Sequence, residues 1–348
     1  MSTYLICNRE IEIVDGKERF KNDGKEHALP KFRVAKCTIL EDKKTSEYEM
    51  IDNQYPSDYN DVIKALDNNS LATNLKGTSN MFFELYNDML HSQERSDILV
   101  FIHGFANSFQ DNLDHIAKLN AIFIKEGSPI KHIIYISWPT RGNKVLTYWD
   151  DQKDAEETGR VLARVYDKMY DFFIELFKIH KRENCNNKIH LAAHSMGNQV
   201  LQHMLENIPN RKIHTMFSEV LLLHSDVKDT VFEKGEAFTK LEKLAERTHL
   251  YIHKSDDALW ISRFTKNLNK RLGKRGPRNR NILNSETYIV DTSNVKSVES
   301  LRQRLWDHWG YIESKPEIND IIEVLKGIDS EFISGRKKKG GEGNYYYL

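Results

Sequence analysis

The strongest constraint on the fold is the segment 188–198, which reads KIHLAAHSMGN. An apolar run leads into Ser195 and a helix-forming run follows directly, so the pattern predicts a strand, a sharp turn and a helix. Such a turn crowds the backbone of the serine, and the positions two residues to either side need very small side chains. Ala193 and Gly197 meet that need. The segment therefore indicates a nucleophile elbow with Ser195 at its tip.

Runs typical of strands and helices alternate over the rest of the chain. Ile98–Ile102 is continuously apolar, as in a parallel strand that is covered on both faces. Further apolar runs of strand length occupy residues 133–136, 220–223, 249–252 and 287–290. Alternation of this kind predicts an α/β fold with a mostly parallel, doubly wound sheet. Residues 1–60 alternate apolar and polar side chains, which predicts antiparallel strands at the N-terminal edge of that sheet.

The 348 residues are interpreted as one domain over 1–334, with a candidate catalytic core at 97–330. No insertion between the predicted strands is long enough to form a separate cap domain. Residues 335–348 begin with a run of lysines and glycines, and we expect them to form a basic, flexible tail.

A base and an acid are expected after an elbow serine, in the chain order serine, acid, histidine. His308 alone among the fourteen histidines follows the candidate acids and the last predicted strand, so it is the candidate base. Asp256 is the favoured acid because it follows the strand at 249–252. Asp257 is the runner-up, since a shift of one residue in the loop would exchange the two. Asp226, in the loop after the strand at 220–223, is the third candidate.

These residues divide the work of nucleophilic catalysis between them. A serine hydroxyl is a poor nucleophile until a base takes its proton, which would be the role of His308. Asp256 would fix the tautomer of that imidazole and stabilise its charged form. An oxyanion hole also needs two N–H donors, and the backbone of Met196 is the first candidate. Gly104 permits a tight turn after an earlier strand and makes the Phe105 N–H the second.

Three residues are candidates for the substrate pocket. The loop after the strand at 133–136 carries Trp138 and Arg141 and should lie on the rim of the site. Trp138 either walls an acyl pocket or packs in the interior. His103 ends a buried strand, which favours a hydrogen-bonded structural role over a catalytic one.

Together these motifs resemble the α/β-hydrolase superfamily, and more narrowly a bacterial esterase/lipase-like branch catalogued as a domain of unknown function. The matching pieces are Phe101–Phe105, Ser137–Pro139 with Gly142, Ala193–Asn198, Asp256–Leu259, Arg271–Gly273, and His308 with Tyr311. The Asp-x-Ala-Leu piece supports Asp256 over Asp257. Thr140, where serine is commoner, and the bulky segment Asp307–Trp309 depart from the pattern. The resemblance implies a serine hydrolase fold and no particular substrate.

The leading interpretation is a serine hydrolase that cleaves a carboxylic ester through an acyl-enzyme. The same triad would also serve a phospholipase, a thioesterase, an amidase or an acyltransferase. A catalytically silent binding module is a further alternative, because a fold does not fix a function. The intact serine, aspartate and histidine argue against it.

Charge and composition limit the partners. Lys+Arg and Asp+Glu both number 51, so the overall balance predicts no polyanionic partner, nucleic acid included. The basic segment Arg263–Arg280 is either a solvated loop or a contact for an anionic surface such as phospholipid headgroups. No His/Cys metal cluster or phosphate-binding glycine loop is evident, and the chemistry requires no cofactor. Three scattered cysteines and no evident secretory signal predict a cytoplasmic protein. The oligomeric state stays open.

Overall fold

A computed structural model describes residues 1–22, 27–42, 44–51, 58–75, 77–141, 147–174, 186–256, 270–295 and 307–348. The strands are β1 Ser2–Cys7, β2 Ile11–Val14, β3 Lys17–Phe20, β4 Arg33–Ile39, β5 Ser46–Met50, β6 Asp97–Ile102, β7 Ile130–Ser137, β8 Ile189–His194, β9 Phe217–Leu223, β10 Ala245–Ile252, β11 Thr287–Asp291, β12 Lys337–Lys338 and β13 Tyr345–Tyr347. The α-helices are α1 Tyr59–Asp67, α2 Thr78–His91, α3 Phe109–Phe123, α4 Tyr148–Ile174, α5 Gly197–Asn207, α6 Leu241–Leu244, α7 Leu272–Arg275, α8 Gly310–Glu313 and α9 Lys315–Leu325. Short 3₁₀ turns occupy Asn69–Asn74, Asn210–Lys212, Ala237–Lys240, Arg280–Ile282 and Asp307–Trp309.

One eleven-stranded sheet dominates the described part of the chain, in the order β12-β13-β11-β10-β9-β8-β6-β7-β1-β4-β5. The strands from β13 to β1 pair in parallel. Antiparallel pairs lie at the two ends, β1–β4–β5 and β12–β13. The mostly parallel sheet with antiparallel N-terminal edge strands is thereby confirmed. The turn at Asp15 and Gly16, both with positive φ, closes a separate β2–β3 hairpin outside this sheet.

Helices cover both faces of the sheet, and the side chains of β9 show why. All seven residues of this strand are buried. Val220 and Leu222 pack into the apolar cluster beneath α4 and α5. Leu221 and Leu223 point to the opposite face and join the cluster beneath α3 and α9. Alternate side chains of a strand reach opposite faces, so consecutive apolar residues such as Val220–Leu223 supply both layers of the core.

Helix boundaries follow local signals in the sequence. α3 begins at Phe109, because the side chain of Ser108 caps it and the Asp111 carboxylate accepts a hydrogen bond from the Ser108 N–H. α4 carries acidic residues in its first turn, Asp150 and Asp151, which suit the positive end of the helix dipole. No helix in the described ranges combines the length and the apolar character needed to cross a bilayer.

The C-terminal residues differ from the expectation of a flexible tail at 335–348. Tyr345–Tyr347 form β13, which pairs in parallel with β11, and Tyr345 and Tyr346 are buried. Arg336 is also fully buried and binds both carboxylate oxygens of Asp320 in α9, at 2.7 and 2.8 Å. The sequence signal for this strand is the run of three tyrosines, which are strong strand formers. The lysines and glycines before it suggested a flexible segment instead. The segment is therefore part of the fold.

Both outer strands of the sheet carry exposed charges. On β12 they are Lys337 and Lys338, and on β5 they are Glu47 and Glu49. Charged side chains on an edge strand oppose pairing with another chain. The two edges carry charges of opposite sign.

We expect Arg336→Ala to lower the free energy of unfolding by about 3–5 kcal/mol, because it leaves the buried Asp320 carboxylate without its cation and with the Tyr251 hydroxyl as a remaining donor. Urea denaturation followed by circular dichroism measures this loss. Lys338→Ala is the matched control, since Lys338 forms an exposed pair with Glu331 and should change stability little. Equal stability of the two variants would contradict the docking of the C-terminal segment.

Candidate active site

The turn between β8 and α5 places Ser195 at its tip. Ser195 has a φ of +52°, a left-handed conformation that costs a non-glycine residue about 1–3 kcal/mol. Its N–H donates to the carbonyl of Leu223 at 2.9 Å. Its carbonyl accepts from the backbone N–H groups of Asn198 and Asp226, each at 3.1 Å. The bonds to Leu223 and Asp226 tie the elbow to the end of β9, and they hold the strained turn in place.

Gly197 is required by a close backbone contact. A Cβ at this position would lie 2.6 Å from the carbonyl oxygens of both Ile102 and His103, well inside contact distance. Ala193 occupies the other small position and is fully buried, paired in register with Ile102 and Leu222. The elbow thus needs its two small residues for packing against β6 and β9.

The loop after β6 lies against the serine. A Cβ on Gly104 would approach the Ser195 Cβ to 2.9 Å and the His194 Nδ1 to 3.0 Å. The N–H groups of Phe105 and Met196 have no hydrogen-bond acceptor among the residues that the structure describes. Two backbone donors without acceptors beside a strained serine are the pattern expected of an oxyanion hole.

Side chains that follow β1 and β7 brace this loop. Ala106 has a positive φ of 63°, and Asn107 follows it. The Thr140 hydroxyl accepts from the Asn107 N–H at 3.0 Å and donates to the Asn107 carbonyl at 2.6 Å. The buried Arg9 adds a hydrogen bond to the same carbonyl at 2.9 Å. Thr140 therefore replaces the commoner serine without loss of the hydroxyl that holds the loop.

The candidate base and acid are joined by a short hydrogen bond. His308 Nδ1 lies 2.7 Å from Asp256 Oδ2 and must donate, because a carboxylate only accepts. Asp256 has no exposed surface. Burial alone would raise the pKa of its carboxyl group, but the imidazoles of His308 and His224 hold that pKa well below its usual range. With Nδ1 engaged, Nε2 of His308 is the ring nitrogen that can take a proton.

His194, the residue before the serine, connects the elbow to the base. Its Nε2 donates to the carbonyl of His308 at 2.8 Å, and the two ring centroids are 4.6 Å apart. Trp309 and Tyr311 pack on the same imidazole at 4.8 and 4.7 Å. Burial lowers the pKa of His194 well below its ordinary value, so this ring is neutral. These contacts bring His308 to the residue adjacent to Ser195.

A second histidine, His224, reaches the same acid. His224 follows β9, has a φ of +45° and is fully buried. Its Nδ1 lies 3.5 Å from Asp256 Oδ2, an ion-pair distance, and its Nε2 lies 3.1 Å from Glu317 Oε1. The sequence analysis missed both residues. Their only signal was the presence of a histidine after β9 and a glutamate in the first turn of α9.

His224, Asp256 and His308 offer three ligand atoms within 4.8 Å of one another, a spacing also compatible with a metal ion. Two ligands of a tetrahedral zinc ion at about 2.0 Å would be about 3.3 Å apart. The separation between His308 Nδ1 and Asp256 Oδ2 is 2.7 Å, which is that of a direct charge-assisted hydrogen bond. The observed geometry therefore fits a proton between the two atoms.

The alternative acids have different surroundings. Asp226 pairs with Arg271 at 3.0 Å and accepts from the Tyr148 hydroxyl at 2.8 Å, so its carboxylate is engaged away from His308. Gly273, two residues after Arg271, packs so closely that a Cβ would lie 2.3 Å from the Ser225 N. The Arg-Leu-Gly motif thus packs against the loop after β9, through the ion pair of Arg271 and the close backbone contact of Gly273. Asp257 lies outside the described residues.

The three candidate pocket residues have structural partners. Trp138 and His103 are both fully buried and their rings stack at 5.4 Å. The Trp138 N–H donates to His103 Nε2 at 3.0 Å, and the indole N–H donates to the His103 carbonyl at 2.8 Å. Arg141 forms ion pairs with Asp150 at 2.5 Å and with Asp154 at 3.3 Å. The structure therefore gives Trp138 and His103 packing contacts with each other, and it pairs Arg141 with acids of α4.

The basic segment 263–280 is described from residue 270 onward, and three of its six basic residues there form ion pairs with acids, Arg271 among them. Arg278 pairs with Asp229 at 3.0 Å, and Arg280 pairs with Glu342. Lys274 Nζ donates to the backbone carbonyl of Asp256 at 3.3 Å. Residues 263–269 lie outside the described part, as does Gly142.

The parallel sheet, the elbow serine and the His–Asp pair at the carboxyl ends of its strands define an α/β hydrolase. The chain belongs to the family described as alpha/beta hydrolase of unknown function (DUF900), whose model matches residues 80–325. No curated protein and no solved structure matches the chain.

We expect Gly104→Ala to slow the hydrolase reaction by about 10²–10³-fold, because the new Cβ would displace the loop that carries the Phe105 N–H. Steady-state kinetics with an activated ester measures this. Gly340→Ala is the control, since nothing lies within 4 Å of a Cβ there. An unchanged rate in Gly104→Ala would contradict the placement of this loop.

Proposed function

We propose that the protein is a serine hydrolase that cleaves a carboxylic ester through an acyl-enzyme, with Ser195, His308 and Asp256 as its catalytic triad. One observation carries the proposal. Asp256 accepts a buried hydrogen bond of 2.7 Å from His308, and the carbonyl of His308 accepts one of 2.8 Å from His194, the residue before the strained elbow serine. A general base oriented by a buried carboxylate beside such a serine is the arrangement that nucleophilic catalysis requires.

The chemistry follows from these positions. The Ser195 Oγ attacks the ester carbonyl carbon while its proton passes to His308 Nε2. The carbonyl oxygen becomes an oxyanion, to which the N–H groups of Met196 and Phe105 donate. The C–O bond to the alcohol then breaks, and His308 returns the proton to the departing oxygen. Water attacks the acyl-enzyme by the same route in reverse, which releases the acid and restores the serine.

An ester is the substrate class we favour among those open to such a triad. A thioester or an amide would use the same residues with a different leaving group. Cleavage of an anionic phospholipid has less support, because Arg271, Arg278 and Arg280 are paired with acids of the chain. The few and scattered cysteines support a cytoplasmic location.

A fluorophosphonate should add once to the wild-type protein, since an activated serine attacks phosphorus without a matched substrate. Intact-mass spectrometry detects the adduct. Ser195→Ala should give none, and His308→Ala should react at least about 10³-fold more slowly. A well-folded wild-type protein that gives no adduct would favour a silent binding module over a hydrolase.

Asp256→Asn should reduce kcat by about 10⁴-fold, because an amide in that place stabilises the wrong tautomer of His308. Asp257→Asn is the matched control, one residue further along, and should keep kcat within about threefold of wild type. Ester kinetics on both variants tests the assignment. Loss of activity in the second variant alone would move the acid to Asp257.

A further inference from the structure

His224 lies in a buried chain of charged groups behind the triad. It contacts Asp256 on one side and Glu317 on the other, and all three residues are at most 2% exposed. The proposed mechanism uses only the Asp256 end of this chain. The role of the other two residues is therefore unexplained by the triad alone.

Two buried carboxylates face the ring of His224. Nε2 must donate to Glu317, because a carboxylate only accepts a hydrogen bond, whereas Nδ1 lies at ion-pair distance from Asp256, beyond a regular hydrogen bond. His224 Nδ1 faces Asp256 at 3.5 Å, and its Nε2 faces Glu317 at 3.1 Å. A ring protonated at both nitrogens is an imidazolium. Its positive charge compensates two buried carboxylates that would otherwise repel each other.

The surrounding groups agree with a charged ring. Two further imidazoles of the described residues face His224, those of His308 and His194, with ring centroids at 5.8 and 6.5 Å. His194 is neutral, as burial lowers its pKa. Burial by itself would lower the pKa of His224 too, but the carboxylates of Glu317 and Asp256 raise it to about 10.

Glu317 is positioned for this contact by the backbone around it. It lies in the first turn of α9, where the helix dipole favours a negative charge. Gly310 leaves room for it, because a Cβ at that position would lie 2.2 Å from Glu317 Oε2. A residue with a side chain at position 310 would therefore collide with the Glu317 carboxylate.

We propose that His224 is a positioning residue that stays protonated in the working enzyme, held by Glu317, and fixes the Asp256 carboxylate for His308. The proposal rests on the proposed function.

The charge of His224 can be observed without any substrate. Nitrogen-15 NMR of the histidine side chains at pH 8 should show one ring with the shifts of an imidazolium, and His224→Gln should remove that signal. Glu317→Gln should make the same ring lose its proton at lower pH. A neutral His224 in the wild-type protein would overturn the proposal, whether or not the protein hydrolyses esters.

The second measurement is the pH dependence of ester turnover. His224→Gln should lower kcat by about 10–100-fold, less than the loss of Asp256 itself, with KM nearly unchanged. The acid limb of its pH–rate profile should move to higher pH, because the base has lost a neighbouring cation. Glu317→Gln leaves the imidazole of His224 in place and removes the carboxylate that holds it. Its kcat should also fall, and it serves as the test if His224→Gln folds poorly.

His203→Gln is the control, since His203 contacts Glu206 on the surface of α5 and should leave the profile as in wild type. A lower kcat with an unmoved acid limb would reduce His224 to a purely structural role and overturn the proposal. If the wild-type protein neither hydrolyses esters nor reacts with a fluorophosphonate, the proposed function fails, and the NMR result still decides the charge of His224.

Discussion

The architecture around the site depends on one buried negative charge, that of Asp256. A carboxylate without exposed surface is stable only if cations or hydrogen-bond donors surround it. Here those groups come from separate parts of the chain: His224 from the end of β9 and His308 from the turn before α8. Compensation of this charge therefore holds together the loops after β9 and β10 and the segment leading into α9. The elbow is joined to the same unit through the bond from His194 to the His308 carbonyl.

Much of this arrangement could be predicted from local signals. The elbow can be recognised from the sequence, because its strained turn needs small residues two positions before and two positions after the serine. The sheet type follows from uninterrupted apolar strands, and the order of serine, acid and base selects His308 from fourteen histidines. Each of these inferences uses residues close together in the chain, or a topological rule that fixes where distant loops meet.

What could not be predicted depends on contacts between distant residues. His224 and Glu317 are 93 positions apart, and nothing near either one distinguishes a buried ion pair from an ordinary surface pair. Several other histidines are just as buried, so residue type alone gives no role. The C-terminal segment was misjudged for a related reason. Its lysines indicate exposure to solvent, whereas in the structure Arg336 forms a buried ion pair with Asp320 and the tyrosines form a strand of the sheet.

The charged edge strands bear on how this protein behaves at high concentration. A sheet of eleven strands ends in two rows of backbone groups that another molecule could extend. Two copies that approach through their lysine edges repel each other, and so do two that approach through their glutamate edges. Only the unlike edges attract, and salt screens that attraction over about 10 Å at 0.1 M ionic strength. Colloidal stability should therefore be lowest in dilute buffer and improve as salt is added.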